Sequence, residues 1–368
     1  MATVKLFLCG DVMTGRGIDQ ILPHPGDPRL HESYVRTALR YVELAEAVAG
    51  NIDRPVGFAY IWGDALEELD HRRPAARIVN LETAVTCSGD PWPAKGIHYR
   101  MHPANLPALT AAKIDCCVLA NNHVLDFGRE GLAETLATLS AAGIGTSGAG
   151  QNSGQASAPA CIEVGGNRRI LVIALATEDS GVPREWAATA DRSGVNLLPS
   201  LSSAGVSAVA HAIDAQRRRG DLIVVSLHWG SNWGFGVSRE QREFAHSLID
   251  VAGADLVHGH SAHHAKGIEV HGGKLILYGC GDFVNDYEGI GGYESFRADL
   301  AVMYFPELDT NGRLLRLAMA PLQRHRLRLI RAQSSDAKWL ADCLTLASRE
   351  FGTRVILAPD GELRLHWN

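Results

Sequence analysis

Short runs of valine, isoleucine and leucine alternate along this chain with segments of helical periodicity, and that alternation restricts the fold more than any other feature. Apolar runs at residues 4–9, 77–81, 116–120, 170–176, 222–227, 256–257 and 275–278 read as buried strands. Between them, helical spacing covers 33–49, 59–72, 103–112, 129–142, 204–219 and 239–251. Pro103 at a first turn and Gly143 just past a helix end are ordinary helix punctuation. The alternation predicts an α/β fold. Over 299–330 the pattern changes to longer strand-like stretches, followed by one helix over 335–349 and a hairpin around Pro359-Asp360-Gly361. The Gly/Ser-rich stretch 145–154 is too short for a domain linker, so the 368 residues are expected to form one domain.

Polar residues stand where these strands end. Asp11 follows the first, Glu82 the second, and Asn121-Asn122-His123 the third, with Asp126 three residues on. His228-Trp229-Gly230 follows another, and His258-Gly259-His260-Ser261-Ala262-His263-His264 one more. Loops beyond the carboxyl ends of α/β strands converge on one crevice, where ligands gather. Singly, Asp11 suits a turn or helix cap, Asn121-Asn122 a left-handed turn, and His228 a satisfied core residue. Jointly, carboxylate, amide oxygen and imidazole form a mixed oxygen–nitrogen set suited to a divalent metal. The chain holds 16 histidines, and those outside these strand ends carry no such context.

Composition narrows the field. The net charge of −6 gives no electrostatic case for nucleic acid. The seven cysteines show no CxxC spacing, and several sit in apolar runs, as buried thiols of a reducing compartment do. The first apolar run flows into Gly10-Asp11 without a basic leader or cleavage site, so it reads as a strand and not a signal peptide. No run approaches the roughly 18 apolar residues of a membrane span. The expectation is a cytoplasmic protein with a peptide or small-molecule substrate, neither nucleic acid nor membrane as partner, and an oligomeric state left open.

Gly10-Asp11-Val12-Met13…Arg16, Asn80-Leu81-Glu82-Thr83, Asn121-Asn122-His123…Asp126, His228-Trp229-Gly230 and Gly259-His260…His263 together resemble the bacterial capsule-synthesis (CapA, poly-γ-glutamate synthesis) family. That family is similar to calcineurin-like metallophosphatases, and the resemblance runs in order from about residue 4 to residue 285. It implies a four-layered α/β/β/α sandwich with a dinuclear site at the strand ends, residues 1–298 carrying the site and 299–368 completing the sandwich. It further implies that Asp11 binds a first metal and Glu82 bridges both. Asn122, His228 and His260 would bind the second, and His263 would complete the first. His123 would be an outer-shell acid or charge-stabilising group, paired with Asp126. The chain departs from metallophosphatases in three places: Met13 where they carry histidine, Glu82 where they bridge with aspartate, and a final His-x-x-His in place of His-x-His. A site short of one nitrogen ligand and richer in oxygen suits one or two ions of Mn²⁺, Ca²⁺ or Mg²⁺.

Some members of the family resemble peptide epimerases. The sequence reading therefore favours metal-assisted inversion of a Cα in a ribosomal, lasso-type peptide. His123 and His264 are its candidate proton carriers on opposite faces. Lys95, Arg100, Trp229 and Trp233 are candidate substrate contacts, and Cys280 is a thiol in the same region. The alternatives are a metallohydrolase of phosphoester or amide bonds and an accessory protein of poly-γ-glutamate or capsule synthesis.

Overall fold

The computed structural model describes residues 3–166 and 168–368. The first half of the chain builds one sheet from β1 (Val4–Val12), β2 (Ala76–Leu81), β3 (Cys116–Val118) and β4 (Gly145–Ser147), all parallel. A second, 7-stranded sheet follows, with β5 (Arg169–Thr177), β6 (Leu222–His228), β7 (Leu256–His260), β8 (Ile268–His271) and β9 (Lys274–Leu277). The chain then returns to the first sheet through β10 (Asp282–Val284), β11 (Leu300–Leu308) and β12 (Leu314–His325). A terminal hairpin, β13 (Arg354–Leu357) and β14 (Leu363–His366), extends that sheet beside β12, around the turn the sequence marks.

The two sheets share a core. On β5, Ile170, Val172, Ala174 and Ala176 join the cluster that holds β1 and β2, whereas Leu171, Ile173 and Leu175 pack with the outer helices. Those helices, Ser203–Asp214 and Arg239–Asp250, contribute Val206, Val209, Phe244 and Leu248. The first sheet carries its own helices, among them Ala65–Arg72 with fully buried Leu69, and Gly128–Ala141 beside β4. The layer order is helix, sheet, sheet, helix. The strands buried on both faces read as continuous apolar runs for that reason.

Three expected helices differ. Residues 33–38 form no helix: Ala38 N–H donates to Pro28 and Leu30 N–H to Arg36, folding the segment back on itself before the helix Leu39–Ala49. Residues 103–112 split into the 3₁₀ turn Pro103–Asn105 and the helix Pro107–Ala111, because Pro107 brings no N–H to a continuous helix. Residues 59–72 split at Gly63, whose φ of +45° and 2.0 Å approach of a built Cβ to the Leu329 carbonyl admit no side chain. Among the described residues no helix is long and apolar enough to cross a membrane.

Candidate metal centre

β10 presses against the end of β1, in parallel register that pairs Asp11 with Asp282. The approach depends on Gly10: a Cβ there would lie 1.7 Å from the Gly281 carbonyl oxygen. β2 pairs Asn80 with Asp11 on the other side, and Glu82 follows just past its end. Asn80 Nδ2 donates to Asp11 Oδ1 at 2.7 Å and to Glu82 Oε2 at 3.2 Å. Asp11, Glu82 and Asp282 are thus three buried carboxylates in one place. Asp11 Oδ2 is buried with no hydrogen-bond partner. Burial, then the charge of Asp282, raises the Asp11 carboxyl to about 7. Burial, then Asp11, raises Glu82 well above the usual carboxylate range. Buried carboxylates without matching cations are costly, and a positive ion among them relieves the cost.

The second sheet brings the imidazoles. β6 and β7 run parallel with Ser226 opposite His258 and His228 opposite His260. Alternation turns all four toward the first sheet, the side to which Val224 and Leu256 also face. His258 Nε2 donates to the Cys9 carbonyl of β1 at 2.8 Å, leaving Nδ1 to accept from the Ser226 hydroxyl at 3.1 Å. Ser226 Oγ in turn accepts from His260 Nε2 at 2.8 Å. This chain of bonds assigns the tautomers: His260 Nδ1 carries a lone pair, 2.8 Å from His228 Nδ1 and 3.9 Å from Asp11 Oδ1. Burial holds His258 down to about 4 and His228 and His260 well below their ordinary value, so all three are neutral.

Two donor sets result. Asp11, His228 and His260 offer ligand atoms all within 4.8 Å of one another, and so do Asp11, His263 and Asp282. Asp11 is common to both. His263 Nδ1 lies 2.8 Å from Asp282 Oδ1; burial lowers its pKa, but Asp282 and Asp11 outweigh that and the net shift is upward. Asn122 Oδ1 is 3.2 Å from His228 Nε2, and Glu82 Oε1 is 3.9 Å from the same nitrogen. A partnerless carboxylate oxygen, an outward imidazole lone pair and mixed oxygen and nitrogen donors fit a divalent cation. Met13 is fully buried, and at this position offers no imidazole.

His123 stands beside the carboxylates. Its Nδ1 lies 2.6 Å from Asp126 Oδ2, which also accepts from Tyr99 N–H at 2.6 Å. Lys95 Nζ is 2.6 Å from Asp126 Oδ1, and donates to the Ile97 carbonyl at 2.9 Å. Burial raises the Asp126 carboxyl, but His123 and Lys95 outweigh it and keep it ionised. Burial holds His123 down to about 4. The same Nδ1 lies 3.0 Å from Lys95 Nζ, and Nε2 lies 3.7 Å from Glu82 Oε1. Glu82, Lys95, Asn122, His123, His228 and His263 line one cavity of about 290 Å³.

Three candidate residues lie elsewhere. His264 accepts from Gly234 N–H through Nε2, turns Nδ1 to the Ala265 carbonyl, and packs among Trp233, Phe235 and Phe296. Both nitrogens are engaged, so it is a loop-packing residue away from the cavity. Trp229 is core, stacked on Tyr278 with its indole N–H on the Tyr278 carbonyl. Arg100 holds the Ser88 and Asp27 carbonyls and covers Phe127. Trp233 lines a neighbouring, larger cavity. Burial raises the Cys280 thiol far above its ordinary value, which makes it inert.

The sequence reading gave Asp282, Asn80 and Ser226 no site role of their own and did not pair His258 with Ser226. Asp282 had a signal: Cys280-Gly281-Asp282 repeats Cys9-Gly10-Asp11 after another apolar run. Ser226 had none without the strand register, which alone pairs it with His258 of the histidine cluster.

Residues 5–287 match the family model described as Bacterial capsule synthesis protein PGA_cap, and the chain belongs to that family. A Mycobacterium tuberculosis protein named "Probable polyglutamine synthesis accessory protein" is 49% identical over 364 residues, 98% of this chain and 96% of the relative. The Bacillus subtilis "PGA biosynthesis protein CapA" is 25% identical over 304 residues, 83% of this chain and 68% of that protein. Among solved structures, a 5'-nucleotidase precursor from Thermus thermophilus aligns with a TM-score of 0.47 at 15% identity, covering 88% of this chain and 54% of the other.

Proposed function

We propose that this chain is a metal-dependent hydrolase serving the synthesis of a glutamate- or glutamine-type polymer, trimming amide bonds in that chain. The observation that carries the reading is the pair of donor sets sharing Asp11, two of whose imidazoles, His228 and His263, line one cavity with His123. Asp11, Glu82, Asn122, His228, His260, His263 and Asp282 would hold one or two divalent ions. When bound, such ions polarise a carbonyl oxygen and acidify a water. His123 Nε2 would take a proton from water and return it to the departing amine, with Asp126 and Lys95 holding the ring through Nδ1. Ser226 and His258 keep His260 in the tautomer that presents Nδ1. The names of the relatives support the polymer as the setting.

Cα inversion requires a second proton carrier facing the first. The structure places His264 outside the cavity with both nitrogens engaged, so the epimerase expectation loses that residue.

The test is release of free amines from polyglutamine and polyglutamate chains by protein stripped of metal and reloaded with Mn²⁺. Metal-dependent release, absent in Asp11→Ala, is expected. No release from either polymer by protein shown to bind the metal would overturn the proposal.

A further inference from the structure

His246 and His271 have no metal-like context in the sequence, yet the fold sets them face to face. His246 lies on the helix Arg239–Asp250, one turn before Asp250. His271 ends β8, the edge strand of the 7-stranded sheet, two residues after Glu269. A spacing of four on a helix and of two on a strand puts each pair on one face. Ile268 and Val270 turn inward to the core shared by the two sheets, so Glu269 and His271 turn outward to the helix. His228 and His260 point the other way, toward the first sheet.

Four side chains meet on this outer face. His246 Nε2 lies 3.0 Å from Glu269 Oε1, and His271 Nε2 lies 2.9 Å from Asp250 Oδ2. The two imidazoles are 3.8 Å apart, centre to centre, with 9° between their planes. Donor atoms of His246, Glu269 and His271 all fall within 4.8 Å of one another. Glu269 is buried and firmly held: Tyr278 O–H donates to Oε2 at 2.6 Å, and Arg242 Nη2 to Oε1 at 2.9 Å. The two imidazole side chains are 25% and 26% exposed and Asp250 is 56% exposed. The floor of the cluster is therefore fixed, while its rings reach solvent and have room to turn. Each imidazole–carboxylate contact is bridged by one N–H. A dication in place of those two protons keeps both carboxylates paired and takes the imidazoles as neutral ligands, without disturbing Tyr278 or Arg242.

We infer that His246, Asp250, Glu269 and His271 form an outer metal site, on the far face of the second sheet from Asp11, and that it takes Zn²⁺. Two imidazoles with two carboxylates match the four-coordinate preference of Zn²⁺, whereas Ca²⁺ and Mg²⁺ call for oxygen donors. To close on one ion the rings turn out of their parallel stack, which their exposure allows. The bound ion ties the helix Arg239–Asp250 to the edge hairpin of β8 and β9. The inference is independent of the reaction proposed for the central cavity.

The test is calorimetric titration of the full chain with Zn²⁺, in wild type, in Asp11→Ala, and in each with His246→Ala and His271→Ala added. Wild type is expected to bind one Zn²⁺ more per chain than the variant lacking both outer histidines. Asp11→Ala is expected to keep that ion, with its affinity falling roughly tenfold or more when either outer histidine is removed. Zn²⁺ is also expected to raise the thermal midpoint of Asp11→Ala, and not that of the variant lacking both histidines as well. An unchanged circular dichroism spectrum separates loss of the ion from loss of the fold. Should the double variant unfold, His271→Gln alone reads the same loss. Equal Zn²⁺ stoichiometry and affinity with and without the outer histidines overturns the inference, as does an Asp11→Ala protein that binds no Zn²⁺.

Discussion

Asp11 and Asp282 stand side by side at the ends of two parallel strands, each preceded by Cys-Gly, and only Asp282 is within hydrogen-bond distance of an imidazole. Asp282 is bonded to His263 and Asn285, while Asp11 keeps one oxygen with no partner at all. The first orients a ligand and the second awaits one. Asp11→Ala should abolish Mn²⁺ binding measured by calorimetry, and Asp282→Asn should weaken it by about 10–100-fold, the usual effect of losing a group that orients a ligand.

The tautomer relay from Cys9 through His258 and Ser226 to His260 makes Ser226 a positioning residue. Ser226→Ala leaves His260 free to hold its proton on either nitrogen. Metal affinity is expected to fall about 10–100-fold, with a loss of about 1–3 kcal/mol in stability from the unpaired buried groups. Titration calorimetry and chemical denaturation separate the two effects. Unchanged affinity would show that the relay does not set the ligand.

Gly10 is where the two strand ends meet, and any Cβ there collides with the Gly281 carbonyl. Gly10→Ala should cost about 3 kcal/mol or more, because backbone and not a pliant side chain must move. Thermal unfolding of the metal-free protein checks this.

Metal binding should release protons near neutral pH. The Asp11 carboxyl is raised from 3.8 to about 7, chiefly by burial and then by Asp282, and Glu82 is raised too. The folded metal-free protein thus holds a proton more tightly than the unfolded chain does. That contribution to stability is fully present below 3.8 and is lost as pH rises toward about 7. A metal must displace the same proton, so its affinity rises over this window. Calorimetry in buffers of different ionisation enthalpy reads the proton count, and a count of zero would contradict a proton held among Asp11, Glu82 and Asp282.

His264→Ala tests whether His264 serves the loop or the metal centre. With both nitrogens committed to loop backbone, its loss should loosen the Trp233–Phe235 loop yet leave metal affinity within about twofold. A collapse of metal binding would return His264 to the site.

The strand ends were legible because parallel strands buried on both faces print as apolar runs, and their terminal Asp, Glu, Asn and His stand out against them. Register was not legible. It is register that sets Ser226 beside His258 and Asp282 beside Asp11, so the relay and the second carboxylate stayed hidden. Two neighbours in sequence, His263 and His264, were indistinguishable by type and context. Only the fold turns one to Asp282 and the other to Gly234. Trp229 illustrates the same difficulty: an aromatic on a glycine-interrupted loop reads as a substrate wall, and its ring lies in the core against Tyr278.

Diffraction from Mn²⁺-soaked crystals at a wavelength where manganese scatters anomalously tests the central claim most directly. The account predicts anomalous density among Asp11, His228 and His260, with any second peak between Asp11, His263 and Asp282. Manganese bound elsewhere on the molecule, or no peak at Asp11 in protein that remains active, would contradict it.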